Sequence, residues 1–490
     1  MNTRREFLKT AGVTGLAALG TAGGFAQEAP ARPRNVVFIF TDDVAWGDLG
    51  CYGSQKTKTP SLDGLASRGI RFTDAHSAAP LCSASRYALH SGEYSFRRPC
   101  GMVLSPLSPL MIRRERATLA SVMKAAGYAT GLVGKWHLGL GDSADGPDYN
   151  GDLAPGPLEC GFDYFHGYAT TNDRTPCVYI EDHRVVGLDP KDPIRVSLKP
   201  GPGLTNVIQG VRRHTWQSGG TAALWEDEEM ADHLTGKAVA FIERHKDRPF
   251  FLLFATHSIH HPVLPHPRFR GTSQAGARGD AIHELDWSVG EILATLERLG
   301  LARDTLVLFS SDNGGSIDDQ FRTPEWDRVY PRGDQAGHRF SGPWRGRKGE
   351  LHEGGHREPF LARWPARIQP GVSDATISLV DLPATFAAMT GQRLSEDSAP
   401  DSFNVLPALL DARYGKPVRD HLFVVGPGGF ALREGPWKLI QRPRGKSDLY
   451  NLADDPGETR DLFKEQGEVA QRLARRLAEV TSARRSAPRS

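Results

Sequence analysis

The chain has 490 residues, of which 39% are hydrophobic and 24% are charged, and its formal net charge is +2. This balance is typical of an ordinary globular protein and, without a long basic stripe, argues against a nucleic-acid-binding surface. The length allows two or three domains, or one large α/β domain with an appendage.

The N-terminal segment is predicted to be an export signal rather than part of the fold. The paired Arg4 and Arg5 precede a short apolar run of small residues that ends near Ala26, and this arrangement resembles a twin-arginine signal. The run is too short to span a bilayer, which takes about 20 apolar residues. We therefore expect residues 1–26 to be removed. The twin-arginine machinery would recognise this signal and direct the protein to the periplasm or otherwise out of the cytoplasm, and the mature chain would have no integral membrane segment.

Four apolar runs have the composition of strands buried on both faces. They cover residues 35–40, 128–133, 250–255 and 305–309. Helical patterns lie between them, at 118–126 and 282–299. Strands that alternate with helices favour a largely parallel α/β sheet.

Polar side chains follow each of these strands at the point where it ends. Because the carboxyl ends of parallel strands meet at one edge of a sheet, we expect them to share one site. The side chains are Asp42, Asp43, Lys135, His137, His257, His260, Asp312 and Asn313. The aspartate and asparagine oxygens are hard ligands of the kind that Ca²⁺ or Mg²⁺ prefers.

Two regions depart from this alternation. Residues 141–227 are rich in Pro, Gly and aromatic residues and predict a long insertion near the site. After about residue 410, short strands with turn signals and a helical pattern from about Gly467 predict a small antiparallel sheet with a terminal helix. We therefore expect a catalytic domain over residues 27–410 and a C-terminal subdomain over residues 411–490.

Cys82 lies in the run LCSASRYALHSGEY, with no histidine base beside it. A cysteine hydrolase would need such a base from another strand end, and the histidines there leave this possible. A soft thiolate next to hard cation ligands is nevertheless chemically unusual. The five cysteines lack zinc-site spacing, and their pairing stays open, with Cys51 and Cys177 predicted as packing or disulfide residues.

The position of Cys82 is explained by a resemblance to a known family. CSASRYALHSG is similar to the signature of the type I sulfatases, in which the cysteine is oxidised to Cα-formylglycine before the chain folds. The segments FIFTDDVAWGDLGCYG, GYATGLVGKWHLG, FATHSIHHP, SSDNGG, RGRKGELHEGGHREPFLARWP and LYNLADDPGETRDL resemble that family in the same order. Departures are Ala84, Ser91, Glu93 and His356, of which Glu93 replaces a usual basic residue.

The resemblance implies an alkaline-phosphatase-like fold of the α/β class. Its large mixed, mostly parallel sheet is sandwiched by helices and followed by a small C-terminal antiparallel sheet plus helix. It also implies a metal site, with Ca²⁺ favoured over Mg²⁺ because loop-borne oxygens suit its flexible coordination. The implied ligands are Asp42, Asp43, Asp312, Asn313 and an oxygen of the modified Cys82.

The resemblance further implies catalytic roles. Arg86 would hold the hydrate of the formylglycine, one hydroxyl of which attacks sulfur. Lys135 and Lys348 would bind sulfate oxygens and offset the charge of the transition state. His260, together with Lys348, would protonate the leaving oxygen, and His137 would take the proton of the second hydroxyl.

The predicted function is therefore the hydrolysis of sulfate esters. Several segments resemble bacterial N-acetylgalactosamine-6-sulfatases, which implies 6-O-sulfate on galactosamine or galactose of a sulfated glycan as the substrate. The predicted substrate-binding residues are His257, Asp173, Arg174 and His352, with a solvated turn as the alternative for Asp173 and Arg174.

The resemblance also implies a formylglycine-generating enzyme that acts on the unfolded chain. Two alternative functions stay open. One is a phosphomonoester or phosphonate hydrolase of the same superfamily, because fold alone does not separate these chemistries. The other is a non-catalytic glycan-binding pseudo-sulfatase, which would leave Cys82 unmodified.

Overall fold

The computed structural model describes residues 32–98, 101–316 and 337–488. The predicted signal, residues 1–26, lies outside the described residues, and so does Cys100. Within the described ranges, no helix has the length and apolar character that crossing a membrane requires.

The secondary structure consists of short to medium strands and helices that alternate along most of the chain. The strands are β1 (Asn35–Thr41), β2 (Ile70–Phe72), β3 (Ala75–His76), β4 (Ala129–Lys135), β5 (Tyr164–Tyr168), β6 (Ile180–Glu181), β7 (Arg184–Val185), β8 (Arg195–Ser197), β9 (Thr205–Ile208), β10 (Val211–Ser218), β11 (Phe250–Ala255), β12 (Thr305–Ser311), β13 (Phe360–Arg363), β14 (Gly371–Ser373), β15 (Ile377–Ser378), β16 (Leu422–Gly426), β17 (Gly429–Glu434), β18 (Trp437–Gln441) and β19 (Ser447–Asn451). The helices are α1 (Pro60–Ser67), α2 (Cys82–Ser91), α3 (Leu119–Ala125), α4 (Met230–His245), α5 (Gly276–Arg298), α6 (Leu382–Thr390), α7 (Leu406–Leu410) and α8 (Gly467–Ser482).

A ten-stranded sheet forms the centre of the molecule, in the order β14-β2-β13-β12-β1-β11-β4-β5-β6-β7. Its five middle strands, β12, β1, β11, β4 and β5, are parallel, and β13 is antiparallel to β12. The predicted mixed, mostly parallel sheet is thus confirmed.

Helices cover both faces of this sheet, which explains why β1 is apolar throughout. Val36, Phe38 and Phe40 belong to a core that includes residues of α3 and α6. Val37 and Ile39 belong to a second core with residues of α1, α4 and α5. Since alternate side chains of a strand point to opposite faces, a strand between two helical layers is hydrophobic at every position.

The structure differs from the sequence prediction within residues 141–227. This stretch contains β5, which pairs with β4 in parallel and therefore belongs to the main sheet. It also contains β8, β10 and β9, which form a separate three-stranded sheet. The sequence of β5, YFHGY, lacks the aliphatic run that marks the other central strands, so its period gave no strand signal.

Two glycines allow β11, β4 and β5 to approach closely near their carboxyl ends. A Cβ atom on Gly134 would lie 1.8 Å from the Ala255 carbonyl oxygen, and one on Gly167 would lie 1.8 Å from the Gly134 carbonyl oxygen. Both distances are far below van der Waals contact, so these positions require glycine. Gly134 directly precedes Lys135.

The C-terminal part contains an antiparallel sheet in the order β16-β17-β18-β19. The helix α8 packs on one of its faces through Leu473, Leu477 and Val480. The other face forms a small core that includes Leu351. The predicted small sheet with a terminal helix is confirmed, and its second face contacts the segment that follows Lys348.

Candidate active site

The carboxyl ends of β12, β1 and β4 lie near one another in the main sheet. β12 is next to β1, and only β11 separates β1 from β4. Thr41 at the end of β1 pairs in register with Ser311 at the end of β12. The following residues, Asp42 and Asp312, therefore lie side by side, and the Asp312 amide donates to the Thr41 carbonyl at 3.1 Å. This register brings the two acidic pairs of the sequence to one point.

The two pairs and Cys82 form a compact, fully buried group. One ligand atom each of Asp42, Asp43, Cys82 and Asp312 lies within 4.8 Å of the others. Asn313 joins them, since its Nδ2 donates to Asp43 Oδ1 at 2.7 Å. Its Oδ1 is buried and has no hydrogen-bond partner. A buried amide oxygen without a partner, beside three carboxylates, is a donor set that fits Ca²⁺.

Three cationic side chains each pair with one of the three carboxylates. Lys348 Nζ lies 2.7 Å from Asp43 Oδ1, and Arg86 Nε donates to Asp312 Oδ2 at 2.9 Å. The ammonium of Lys135 donates to Asp42. We call these carboxylates and cations, together with Cys82 and Asn313, the Asp42 cluster. The negative charges of its three aspartates are balanced by the positive charges of its two lysines and one arginine.

Cys82 begins α2, and its Sγ lies 3.7 Å from Asp42 Oδ1. Burial raises the pKa of its thiol to about 12. An unmodified Cys82 is therefore a protonated thiol at neutral pH and a poor nucleophile, which counts against a cysteine hydrolase.

Arg86 lies one helical turn after Cys82, as predicted. Its Nη1 donates to the Lys135 carbonyl at 3.3 Å. Its Nη2 is buried without a hydrogen-bond partner. The guanidinium thus has one free donor edge in the interior of the site.

His137 has a left-handed backbone, with φ of 58°. Its Nε2 lies 3.0 Å from the Leu104 carbonyl, so Nε2 carries the proton, and its buried Nδ1 has no partner. Burial and the nearby Lys135 hold the pKa of His137 well below its usual range. The ring is therefore neutral, with a free lone pair, as a general base requires.

A ring nitrogen of His260 lies within 4.8 Å of an Asp42 oxygen and Cys82 Sγ. Its Nδ1 donates to the His261 carbonyl at 2.9 Å. Burial, Lys348 and Lys135 hold the pKa of His260 well below its usual range. The ring is neutral and therefore a weaker proton donor than the Lys348 ammonium.

The predicted substrate-binding residues occupy different places. Arg174 is close enough to His137 to lower the pKa of that ring, and it pairs with Asp173 at 2.8 Å. His257 is buried, and burial lowers its pKa to about 4. His352 lies against the Tyr450 ring, with 6.0 Å between the ring centroids, so it faces the C-terminal sheet.

Two residues near the Asp42 cluster were not predicted. Tyr168, at the end of β5, is buried, and its hydroxyl has no hydrogen-bond partner. Burial is the largest cause of the raised pKa of Tyr168, and the negative charge of Asp42 raises it further. Arg278 of α5 donates to the Asp43 carbonyl at 3.0 Å and pairs with Asp48. Tyr168 is the last residue of β5, a strand that was not predicted from the sequence. Arg278 lies inside a helix that carries no recognisable motif.

The departure at Glu93 has a local explanation. Glu93 is buried and accepts a hydrogen bond from the Tyr87 hydroxyl at 2.7 Å. The guanidinium of Arg116 donates to its other oxygen. The negative charge that replaces the usual basic residue is therefore neutralised within the fold.

The described cysteines other than Cys82 are free and lie in the protein packing. They are Cys51, Cys160 and Cys177. Cys51 and Cys177 were predicted to be packing or disulfide residues, and in the structure both are packing residues with free thiols.

Comparisons with known proteins agree with this geometry. The family model described as Sulfatase matches residues 34–392. The chain is 40% identical to an N-acetylgalactosamine-6-O-sulfatase of Bacteroides thetaiotaomicron, over 91% of this chain and 93% of that protein. It is 35% identical to human arylsulfatase A, over 91% of this chain and 86% of that protein.

A solved structure has a closely similar fold. It comes from work on the metabolism of multiple glycosaminoglycans by Bacteroides thetaiotaomicron. The TM-score is 0.86 at 38% identity, and the match covers 92% of this chain and all 100% of the other.

Proposed function

Since the chain belongs to the sulfatase family and hydrolyses sulfate esters, we propose that its substrate is 6-O-sulfate on galactosamine or galactose units of a sulfated glycan. The observation that carries this proposal is the 40% identity to an N-acetylgalactosamine-6-O-sulfatase over 91% of the chain. The match spans 93% of the length of that protein as well.

The proposed nucleophile is a hydroxyl of the formylglycine hydrate that replaces the Cys82 thiol. Cys82 is only 1% exposed, so a modifying enzyme has access to it only before the chain folds. This supports oxidation of the unfolded chain by a formylglycine-generating enzyme. It also fits export of an already folded protein by the twin-arginine route, which we propose as the localisation mechanism.

The residues that would hold Ca²⁺ are Asp42, Asp43, Asp312 and Asn313, with an oxygen of the modified residue 82. When bound, the cation would polarise a sulfate oxygen and lower the pKa of the attacking hydroxyl. Lys135 and Lys348, whose ammonium groups lie beside these carboxylates, would bind the sulfate oxygens.

The proton transfers follow from the two histidines and Lys348. Once the attacking hydroxyl carries the sulfuryl group, the unpartnered Nδ1 of His137 accepts the proton of the second hydroxyl of residue 82. The bond from residue 82 to the sulfate oxygen then breaks, sulfate leaves and the aldehyde re-forms. Neighbouring carboxylates, Asp43 foremost, outweigh the effect of burial and raise the pKa of Lys348. A charged Lys348 therefore donates the proton to the leaving oxygen as its bond to sulfur breaks. His260, predicted from the sequence to share this role, is neutral and leaves the donation to Lys348.

Two measurements test this proposal. Mass spectrometry of the tryptic peptide Phe72–Arg86 should give the mass of an aldehyde at position 82. A thiol mass in every molecule would leave the pseudo-sulfatase alternative. The enzyme purified with this modification should hydrolyse 6-sulfated N-acetylgalactosamine faster than its 4-sulfated isomer, and faster than a phosphate ester of the same sugar. Faster phosphate hydrolysis would favour the phosphomonoesterase alternative.

The rim residue Arg174 offers a matched test of the substrate. Arg174→Ala should raise KM for the sulfated sugar by about ten-fold, the size of one charge-assisted hydrogen bond. It should leave KM for a small aryl sulfate nearly unchanged, because that substrate lacks the sugar. An equal change in both values would assign Arg174 to the sulfate pocket instead.

A further inference from the structure

A second buried group of charged residues lies between the main sheet and the C-terminal sheet. We call it the Lys438 cluster: the buried Asp74, His76, Glu353, His356, Lys438 and Glu458, with the partly buried Arg357 and Arg433, which pair with Asp74. Lys438 on β18 is only 1% exposed. Its Nζ lies 2.9 Å from Glu353 Oε1 and 2.8 Å from Glu458 Oε1. A lysine on the C-terminal sheet therefore bridges two carboxylates from separate segments.

Donor atoms of His76, Glu353 and His356 lie within 4.8 Å of one another, but they are already engaged. His76 Nδ1 bonds His356 Nδ1 at 3.0 Å, and His356 Nε2 lies 3.1 Å from Lys438 Nζ. Arg357 Nη1 donates to the second oxygen of Glu353 at 2.9 Å. The cations of the protein fill the places that a metal would take, so this cluster is structural.

The Lys438 cluster contacts the loop that carries Lys348, a member of the Asp42 cluster. We call residues 345–355 the Lys348 loop. On one side, the Lys348 amide donates to Gly315 at 3.0 Å and the Gly349 amide to Pro80 at 2.8 Å. Gly315 follows Asn313, and Pro80 precedes Cys82, so this side of the loop is joined to the metal ligands and to the nucleophile.

On the other side, the Lys348 loop is held by Glu458. The Glu353 amide donates to Glu458 Oε2 at 2.7 Å, and the Arg345 guanidinium donates to the Glu458 carbonyl. Glu458 is fully buried and has a left-handed backbone, with φ of 51°. Because a carboxylate here bonds the loop backbone and Lys438 together, movement of Glu458 would move the loop.

We propose that Glu458, held by Lys438, is a positioning residue for Lys348. This inference rests on the proposed role of Lys348 in sulfate binding and proton donation. In this proposal the C-terminal sheet supports catalysis through Lys438, which holds Glu458. The support is indirect, because the contacts named here run from Lys438 through Glu458 to the Lys348 loop. Misplacement of a catalytic group by about 1 Å is enough to cost up to about 100-fold in rate.

The test is a double-mutant cycle of Glu458→Ala with Lys348→Ala, assayed on a small aryl sulfate. Glu458→Ala alone should lower kcat about ten-fold. In the Lys348→Ala background it should cause no further loss, because two changes that act through one group are not additive. Equal losses in both backgrounds would overturn the proposal.

Hydrogen exchange of peptides from residues 345–355 gives a second readout that needs no activity. Glu458→Ala should accelerate exchange there about ten-fold, and Glu458→Gln, which retains an acceptor for the Glu353 amide, should restore most of the protection. Unchanged exchange would overturn the proposal even if sulfatase activity were normal. Accelerated exchange in a protein without sulfatase activity would instead count against the proposed function alone.

The matched control is Glu434→Ala on β17, which belongs to the same sheet as Lys438. Glu434 pairs with Arg476 of α8 at 3.5 Å, away from the Lys348 loop, and its removal should leave kcat and loop exchange unchanged. If Glu458→Ala does not fold, Arg345→Met removes the other contact with Glu458 from an exposed position. It should accelerate exchange of the loop about three-fold, and no acceleration would contradict the proposal.

Discussion

The Asp42 cluster and the Lys438 cluster are similar in composition and opposite in what they leave unpaired. Each buries several carboxylates together with lysine and arginine. Burial and a nearby lysine hold the pKa well below the usual range both for His260, beside the Asp42 cluster, and for His356, within the Lys438 cluster. A perturbed pKa therefore does not distinguish the two.

The Asp42 cluster and the Lys438 cluster do differ in how many of their buried polar atoms lack a hydrogen-bond partner. In and around the Asp42 cluster, Asn313 Oδ1, Arg86 Nη2 and His137 Nδ1 are buried without hydrogen-bond partners. In the Lys438 cluster, every ring nitrogen of His76 and His356 is bonded. Glu458 Oε1, which has no hydrogen-bond partner, lies 2.8 Å from the Lys438 ammonium and is paired with its charge. Because an unpaired buried polar atom costs roughly 1–3 kcal/mol, the first cluster is built for a ligand and the second for cohesion.

The largest expected effect tests the catalytic side of this comparison. Cys82→Ala removes the precursor of the proposed nucleophile and should lower kcat by on the order of 10⁴-fold or more, as loss of a nucleophile does in other hydrolases. Stability should hardly change, since the hydrogen bond of Cys82 Sγ, to Asp42 at 3.7 Å, is weak. Steady-state kinetics and a thermal melt check both statements. Residual activity above one per cent of wild type would remove Cys82 from the chemistry.

The next effect compares one lysine from each cluster. Lys438→Met and Lys135→Met each leave a buried carboxylate without its cation, which should cost about 3–5 kcal/mol. Added Ca²⁺ should narrow the gap between Lys135→Met and wild type, because the cation replaces the lost charge beside Asp42. It should not change the gap for Lys438→Met. Urea unfolding with Ca²⁺ and with EDTA measures both gaps, and an equal response of the two variants would erase the proposed difference.

A smaller effect addresses the metal site directly. Asp312→Asn keeps the side-chain shape but removes the charge that pairs with Arg86 and would bind the cation. We expect Ca²⁺ affinity to fall by at least about 100-fold, as for a lost ligand or supporting group. Isothermal titration calorimetry measures the affinity. The control Asp74→Asn, in the Lys438 cluster, should leave it unchanged.

The smallest effect separates both clusters from burial alone. His90 is buried against Trp136 and Phe162, and burial and Arg86 lower its pKa to about 3. An unfolded histidine has a pKa near 6.5, so between these values the unfolded chain binds the extra proton. His90 therefore contributes stability above pH 6.5 that is lost as the pH falls.

His90→Phe tests this linkage. The variant should reduce the fall in unfolding free energy between pH 6.5 and 4.5 by roughly 1 kcal/mol per pH unit, with kcat at pH 7.5 unchanged. Urea unfolding at several pH values measures the slope. An unchanged slope would mean that other groups dominate the acid sensitivity.

The sequence predicted the Asp42 cluster well because each of its members follows a recognisable strand or lies in a family segment. It did not predict the Lys438 cluster. Lys438 and Glu353 are 85 residues apart, and only the docking of the C-terminal sheet on the main domain brings them together. Tyr168 was missed for a related reason, since the aromatic strand β5 lacks the aliphatic pattern of its neighbours. The helix α5 begins at Gly276 rather than at the predicted residue 282, because its first two turns include several polar residues.

Gly134 and Gly167 also bear on how such an enzyme changes its substrate during evolution. Any side chain at either position would push neighbouring strands apart just before Lys135, so the backbone that carries this lysine has almost no freedom to drift. Residues 169–174, which follow β5 and include Asp173 and Arg174, contain no glycine of this kind. A substitution at Asp173 or Arg174 would therefore change a proposed sugar contact without moving the backbone of Lys135, the proposed sulfate-binding residue.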